Sequence, residues 1–274
     1  MMRVTKPPPN QILTAFGVSA AAPRPLEGGQ GNSWIAGEVV MKPTGDPAEA
    51  EWRAEVLASL EETEEFRVAR PVPAVDGRWT VDGWEAWRVV AGREDHARAD
   101  DVLRVGSAFH AAVAALPRPR FLDTREDPWT HGDRMAWEEV PLAGSDAAMS
   151  LLEPLATSRR PVDLPSQPVH GDLLGNVLFA PGCAPAVIDW AVYYRPVEFA
   201  AAVIVCDALT WYNASFDLID RWAHLVEWRQ LLIRAFIYRI VTDDVASMVG
   251  GLCPAVIDAY RPVVALLAAA SPHA

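Results

Sequence analysis

Two carboxylates and one side-chain amide carry the clearest chemistry in this sequence. They stand in VHGDLLGNVLF (169–179) and AVIDW (186–190), as Asp172, Asn176 and Asp189. An apolar approach delivers His170-Gly171-Asp172 into a tight loop. Asn176 then opens a strand, and the partner strand of the same hairpin ends at Asp189. Hairpin closure therefore predicts that the three side chains meet, although 17 positions (172 to 189) separate the outer two. All three offer hard oxygen donors of the kind Mg²⁺ prefers, with room for waters and phosphate oxygens. Phosphoryl transfer asks for such a group, because the protein's work there is to position the reactants and neutralise developing charge.

The elements that must position these residues follow from periodicity and punctuation. Residues 26–42 read as strand, glycine turn, strand, a second turn at Ala36-Gly37, and a strand ending at Lys42. Residues 47–60 read as a helix with Asp46 as N-cap, Pro47 at the first helical position, and Trp52, Val56 and Leu60 on its apolar face. Strands are expected at 66–74 and 79–90, the second interrupted at Asp82-Gly83. After Ala91-Gly92 the pattern turns helical, over 100–116, near 133–139 and 147–157, then over 197–211, 218–241 and 255–270. The expected class is α+β in two lobes: residues 1–90 as a small β-rich lobe with one helix, and residues 91–274 as a larger, mainly helical one.

Composition narrows the function. The chain has 274 residues, 51% of them hydrophobic, and a formal net charge of -12. That balance argues against a nucleic-acid partner, which selects basic surfaces, and is compatible with a cationic small molecule. No apolar run approaches the roughly 18 residues of a membrane span, and the first ten residues lack the apolar core of a signal peptide. Cys183, Cys206 and Cys253 are odd in number and widely spaced, which suits a reducing, cytoplasmic setting.

The His-Gly-Asp, Asn and Ile-Asp series resembles the signature of aminoglycoside phosphotransferases and choline-kinase-like enzymes, distant relatives of the protein kinases. The resemblance implies a two-lobed protein-kinase-like fold and an ATP- and Mg²⁺-dependent phosphotransferase acting on a hydroxyl of a small molecule, whether aminoglycoside-, sugar- or amino-alcohol-like. It gives Asp172 the role of catalytic base, and Asn176 and Asp189 that of magnesium ligands. Gly28, Gly29 and Gly31 would bring backbone N–H groups to the phosphates. Lys42 would pair the phosphates, held by Glu55 or, one turn earlier, Glu51. Backbone groups near Val90 and Ala91 would hold adenine. The chain departs from the family pattern in two places, which points to a divergent bacterial subfamily. Asn176 follows Asp172 by four residues where five are usual, and Trp190-Ala191 follows Asp189 where many relatives carry a glycine turn.

A second His-Gly-Asp, at 131–133, lacks the following Asn and hairpin and reads as a helix N-terminus. His110 lies on an apolar helix stripe and reads as a core residue, while His170 braces the loop. Asp207, Asp217, Asp220, Asp243 and Asp244 read as exposed helix charges, with an acceptor pocket as the alternative. The shortened loop leaves open a nucleotide-binding regulator of pseudokinase type. The absence of a DFG…APE segment after Asp189 speaks against a protein kinase proper. A metal-dependent hydrolase would not need Lys42.

Overall fold

A computed structural model describes residues 6–26, 31–247 and 250–269. In chain order the first elements are α1 (Asn10–Ala15), β1 (Arg24–Pro25), β2 (Trp34–Ala36), β3 (Val39–Pro43), α2 (Pro47–Ser59), β4 (Arg67–Val68), β5 (Thr80–Val81) and β6 (Trp84–Arg88). Next come α3 (Ala99–Val113), α4 (Pro128–Ala136), α5 (Asp146–Thr157), β7 (Gln167–His170), β8 (Val177–Leu178), β9 (Ala186–Val187) and β10 (Val192–Arg195). The chain continues through α6 (Val197–Trp211), α7 (Asp217–Arg221), α8 (Trp228–Ala246) and α9 (Pro254–Ala269). Two compact units emerge, Met1–Glu94 with Asn176–Trp190, and Asp95–Gly175 with Ala191–Ala274. The β8–β9 hairpin thus belongs to the first unit, although residue 176 lies far beyond the boundary expected near residue 90.

The first unit is built on an antiparallel sheet of order β1-β2-β3-β6-β5. Its inward residues Ala36, Val39, Met41, Val81 and Ala86 pack with Ile12 and Leu13 of α1 and with Phe16 just after it into one core. A smaller sheet sets β4 parallel to β9, with β8 antiparallel on the other side of β9. Helix α2 begins as the sequence predicts, the Asp46 carboxylate accepting from Ala48 N at 2.8 Å with Pro47 following. Its buried face is different from the expected one: Ala50, Arg53, Ala54 and Leu57 turn inward. Two alanines permit close approach, and an acidic partner described below draws the arginine in.

The second unit is helical around one short antiparallel ladder, β7 with β10, in which His170 faces Val192 and Val169 faces Tyr193. Helix α8 is buried on nearly every side, its polar Gln230, Arg234 and Arg239 included. The continuous helix expected over 218–241 is in fact two, α7 and α8, with Glu227 at φ +54° ahead of α8. The second His-Gly-Asp lies inside α4, which starts earlier than expected, capped by Asp127 and opened by Pro128. Gly132 is there for steric reasons: a Cβ would come within 2.6 Å of the Tyr238 carbonyl oxygen on α8. Asp133 is buried and paired with Arg195, Oδ2 to Nη2 at 2.6 Å, so this copy is structural.

Candidate functional site

In the first unit the hairpin register places two of the expected residues. Val177 faces Val187, and Ile188 N donates to Asn176 O at 3.0 Å, so Asn176 and Asp189 flank one end of the β8–β9 hairpin. Asp189 adopts φ +50°. That left-handed conformation costs a non-glycine residue on the order of 1 kcal/mol, least for Asp and Asn, and tends to persist where function holds it. The Asp189 side chain is 55% exposed and pairs with the ammonium of Lys42.

Lys42 has a second acidic neighbour, and it is not the expected one. Strands β3 and β6 pair with Lys42 directly opposite Glu85, and Nζ lies 3.3 Å from Glu85 Oε1. Glu85 is buried. Glu55, expected to hold the lysine, is on the exposed face of α2, and Glu51 accepts from Thr80 Oγ1 at 3.5 Å. The helix contributes Arg53 instead. Its Nη2 donates to both Glu85 oxygens, at 2.8 and 2.9 Å, and its Nη1 donates to the Trp190 carbonyl at 3.3 Å. Burial works against the Arg53 charge, but Glu85, Asp189 and Glu49 outweigh it and hold the guanidinium above its ordinary value. One buried carboxylate thus organises two cations, and Arg53 also ties α2 to the residue that follows Asp189.

Gly28 and Gly29 lie outside the described residues, whereas Gly31 is described, at φ +71°. The Ala91 carbonyl accepts from the Arg67 guanidinium, and Val90 is half-buried beside it. Arg93 and Phe179 exchange backbone hydrogen bonds at 3.0 and 2.9 Å.

The second unit holds Asp172. Gly171 fits against the face of Tyr193, where a Cβ would press within 2.6 Å of the ring, so glycine is the steric requirement of this loop. The Asp172 N–H donates to His170 Nδ1 at 3.1 Å, and His170 N donates to His110 Nε2 at 2.9 Å. Both imidazoles are buried, which fits the expected bracing and core roles. The carboxylate of Asp172 receives Arg239 Nη2 at 2.6 Å. Arg239, on α8, is 1% exposed and also forks onto Asp207 of α6. Asp207 is therefore a buried ion-pair member, not an exposed helix charge. Burial raises its carboxyl to about 7 against the opposing pull of Arg239, with Asp172 and Asp243 adding to the rise. Asp243 accepts from Tyr260 at 2.6 Å, and Asp244 accepts from Ser145.

His110 gives this loop a pH dependence. Desolvation, then the neighbouring His170, lowers its pKa from 6.5 to about 3. An unprotonated Nε2 is also what the His170 N–H requires. Between those values the unfolded chain binds a proton that the folded one refuses, so stability rises with pH through this window and is lost as pH falls. At about 1.4 kcal/mol per pH unit, His110 forfeits about 2 kcal/mol by pH 5. Thermal melts from pH 7 to 5 should show that loss, and His110→Gln, which keeps an acceptor but does not titrate, should flatten it. An unchanged slope in the variant would contradict the assignment.

The Asn176 amide oxygen and the Asp189 carboxylate, both in the first unit, are hard donors of the kind magnesium takes, and the ammonium on Asp189 shows that this carboxylate already faces a cation. Among the described residues no group of three or more His, Cys, Asp or Glu side chains forms a metal site by itself. Substrate phosphates and waters would complete the coordination.

Known proteins show the same architecture. An aminoglycoside phosphotransferase from Alicyclobacillus acidocaldarius subsp. acidocaldarius superposes with a TM-score of 0.59 at 15% identity, covering 96% of this chain and 94% of its own. A spectinomycin phosphotransferase in complex with ADP and spectinomycin gives 0.57 at 14% identity, covering 95% and 96%. Choline kinase LicA from Streptococcus pneumoniae gives 0.58 at 11% identity, covering 94% and 97%. These likenesses establish the protein-kinase-like α+β fold. No curated protein matches the sequence. Residues 11–235, most of the chain, match the phosphotransferase enzyme family. With that match and a His-Gly-Asp, Asn and Asp series carried on the corresponding fold, the chain belongs to the phosphotransferase enzyme family and is a small-molecule phosphotransferase.

Proposed function

We propose that the protein transfers the γ-phosphoryl group of ATP to a hydroxyl of a small molecule, of aminoglycoside, sugar or amino-alcohol type. The observation that carries this reading is the ion-paired lysine of β3: Lys42 rests on both buried Glu85 and half-exposed Asp189, where a phosphate-binding cation and a metal-binding carboxylate belong together. The first unit takes the nucleotide and the second the acceptor. Asn176 and Asp189 would hold Mg²⁺, which supplies charge neutralisation on the phosphates. Lys42 neutralises further phosphate charge, and Gly28, Gly29 and Gly31 lend backbone N–H groups. Asp172, half-exposed and fixed by a backbone bond to His170, orients the acceptor hydroxyl and takes its proton.

Similar structures name the probes. One holds ADP and spectinomycin, and another is a choline kinase. Purified protein with γ-labelled ATP and Mg²⁺ should label an acceptor from a panel containing spectinomycin, choline and simple sugars. Magnesium-dependent nucleotide binding without transfer to any acceptor or to water would favour the regulator instead.

A further inference from the structure

We propose that Arg239 is a positioning residue for phosphoryl transfer, a buried guanidinium that fixes the orientation of Asp172. The inference rests on the proposed function and adds to it a residue outside the His-Gly-Asp, Asn and Asp series. Arg239 Nε donates to Asp207 Oδ1 at 2.7 Å, and Nη2 donates to Asp207 Oδ2 at 2.5 Å. That fork leaves the guanidinium plane no rotational freedom. The same Nη2 then donates to Asp172 Oδ1 at 2.6 Å. Aromatic rings close around the cation, with Cζ 4.9 Å from the Tyr238 ring centroid and 5.3 Å from that of Trp211.

Exposure divides the roles. The side chains of Arg239 and Asp207 are each 2% exposed, while that of Asp172 is 41% exposed. Arg239 is committed to protein carboxylates on its buried side, so it does not serve as a substrate anchor. Its effect passes through Asp172, whose one oxygen it pins while the carboxylate remains open to solvent. Asp172 is anchored from the backbone side by His170 and from the side-chain side by Arg239, two contacts from different elements. A base that must meet a hydroxyl in line with a phosphoryl group gains from such constraint, and misplacement by about 1 Å costs roughly 10²-fold in rate. The fork geometry also explains why arginine is needed. A lysine keeps the charge but presents a single point donor.

The test uses Arg239→Lys and Asp207→Asn in the full-length protein, assayed below their melting temperatures. Turnover is followed with MgATP and an acceptor from the panel, or as inorganic phosphate released from MgATP with water as acceptor. Both variants should lose about 10²-fold in kcat while KM for MgATP stays within about twofold. In an Asp172→Asn background, Arg239→Lys should cost nothing further, since its effect runs through that carboxylate. Variants that melt lower yet keep wild-type kcat would show a purely structural role and overturn the proposal. A loss in kcat that persists in the Asp172→Asn background would overturn it too. Failure of the unaltered protein to transfer or hydrolyse at all would instead overturn the parent reading, and this one with it.

Discussion

Asp172→Asn should abolish most phosphoryl transfer, lowering kcat by about 10²–10⁴-fold, the range a positioned general base contributes. The substitution keeps the shape of the side chain and its loop. The Asp172 N–H still reaches His170, and Arg239 keeps its fork on Asp207. Nucleotide binding should therefore survive, because the Lys42, Glu85, Arg53 and Asp189 cluster lies in the other unit. Steady-state kinetics beside an ATP titration will separate the two effects. A fall in kcat with ATP affinity unchanged is expected. Wild-type kcat in the variant would remove Asp172 from the chemistry.

Glu85→Gln should be the most destabilising single change near the proposed nucleotide site. Glu85 is 3% exposed, and its carboxylate holds Arg53 by two hydrogen bonds and Lys42 across the β3–β6 register. Neutralising it leaves the buried Arg53 without its main counter-charge. Removing one partner of a buried ion pair costs about 3–5 kcal/mol, because the other charge remains desolvated. Lys42 would also lose its buried anchor. Glu55→Gln is the natural control: the side chain is on the exposed face of α2 and should change stability by less than about 0.5 kcal/mol. Denaturant unfolding of the two variants decides between them. Equal effects, or a larger one at Glu55, would return the lysine anchor to the helix.

The contrast between Glu55 and Glu85 shows how far the sequence could be read. Periodicity located β3, α2, α3 and the β8–β9 hairpin, and hence Lys42, Asn176 and Asp189. The face of α2 escapes an apolar-stripe reading because the buried stripe contains Arg53 between alanines. A partner for that arginine was in reach: pairing the strand that ends at Lys42 with the one around 84–88 sets Glu85 opposite Lys42. The start of α4 was legible too, since Asp127-Pro128 repeats the Asp46-Pro47 capping chemistry. Arg239 and Asp207 were not legible. Arg239 joins Asp172 and Asp207 from 67 and 32 residues away along the chain, and no local pattern encodes it. The allotment of the hairpin to the first unit was likewise out of reach, because it depends on the parallel pairing of β4 with β9.

If Lys42 and Asp189 belong to a magnesium-nucleotide site, melting the protein with its ligands will reveal it. The protein would be melted with ATP, with and without Mg²⁺, beside Asp189→Asn. At about 100 times its dissociation constant, a ligand stabilises the folded state by about 2.7 kcal/mol. Tm should rise with ATP only when Mg²⁺ is present, and Asp189→Asn should lose that rise. No rise with ATP and Mg²⁺ in a folded sample, or an undiminished rise in the variant, would contradict that assignment.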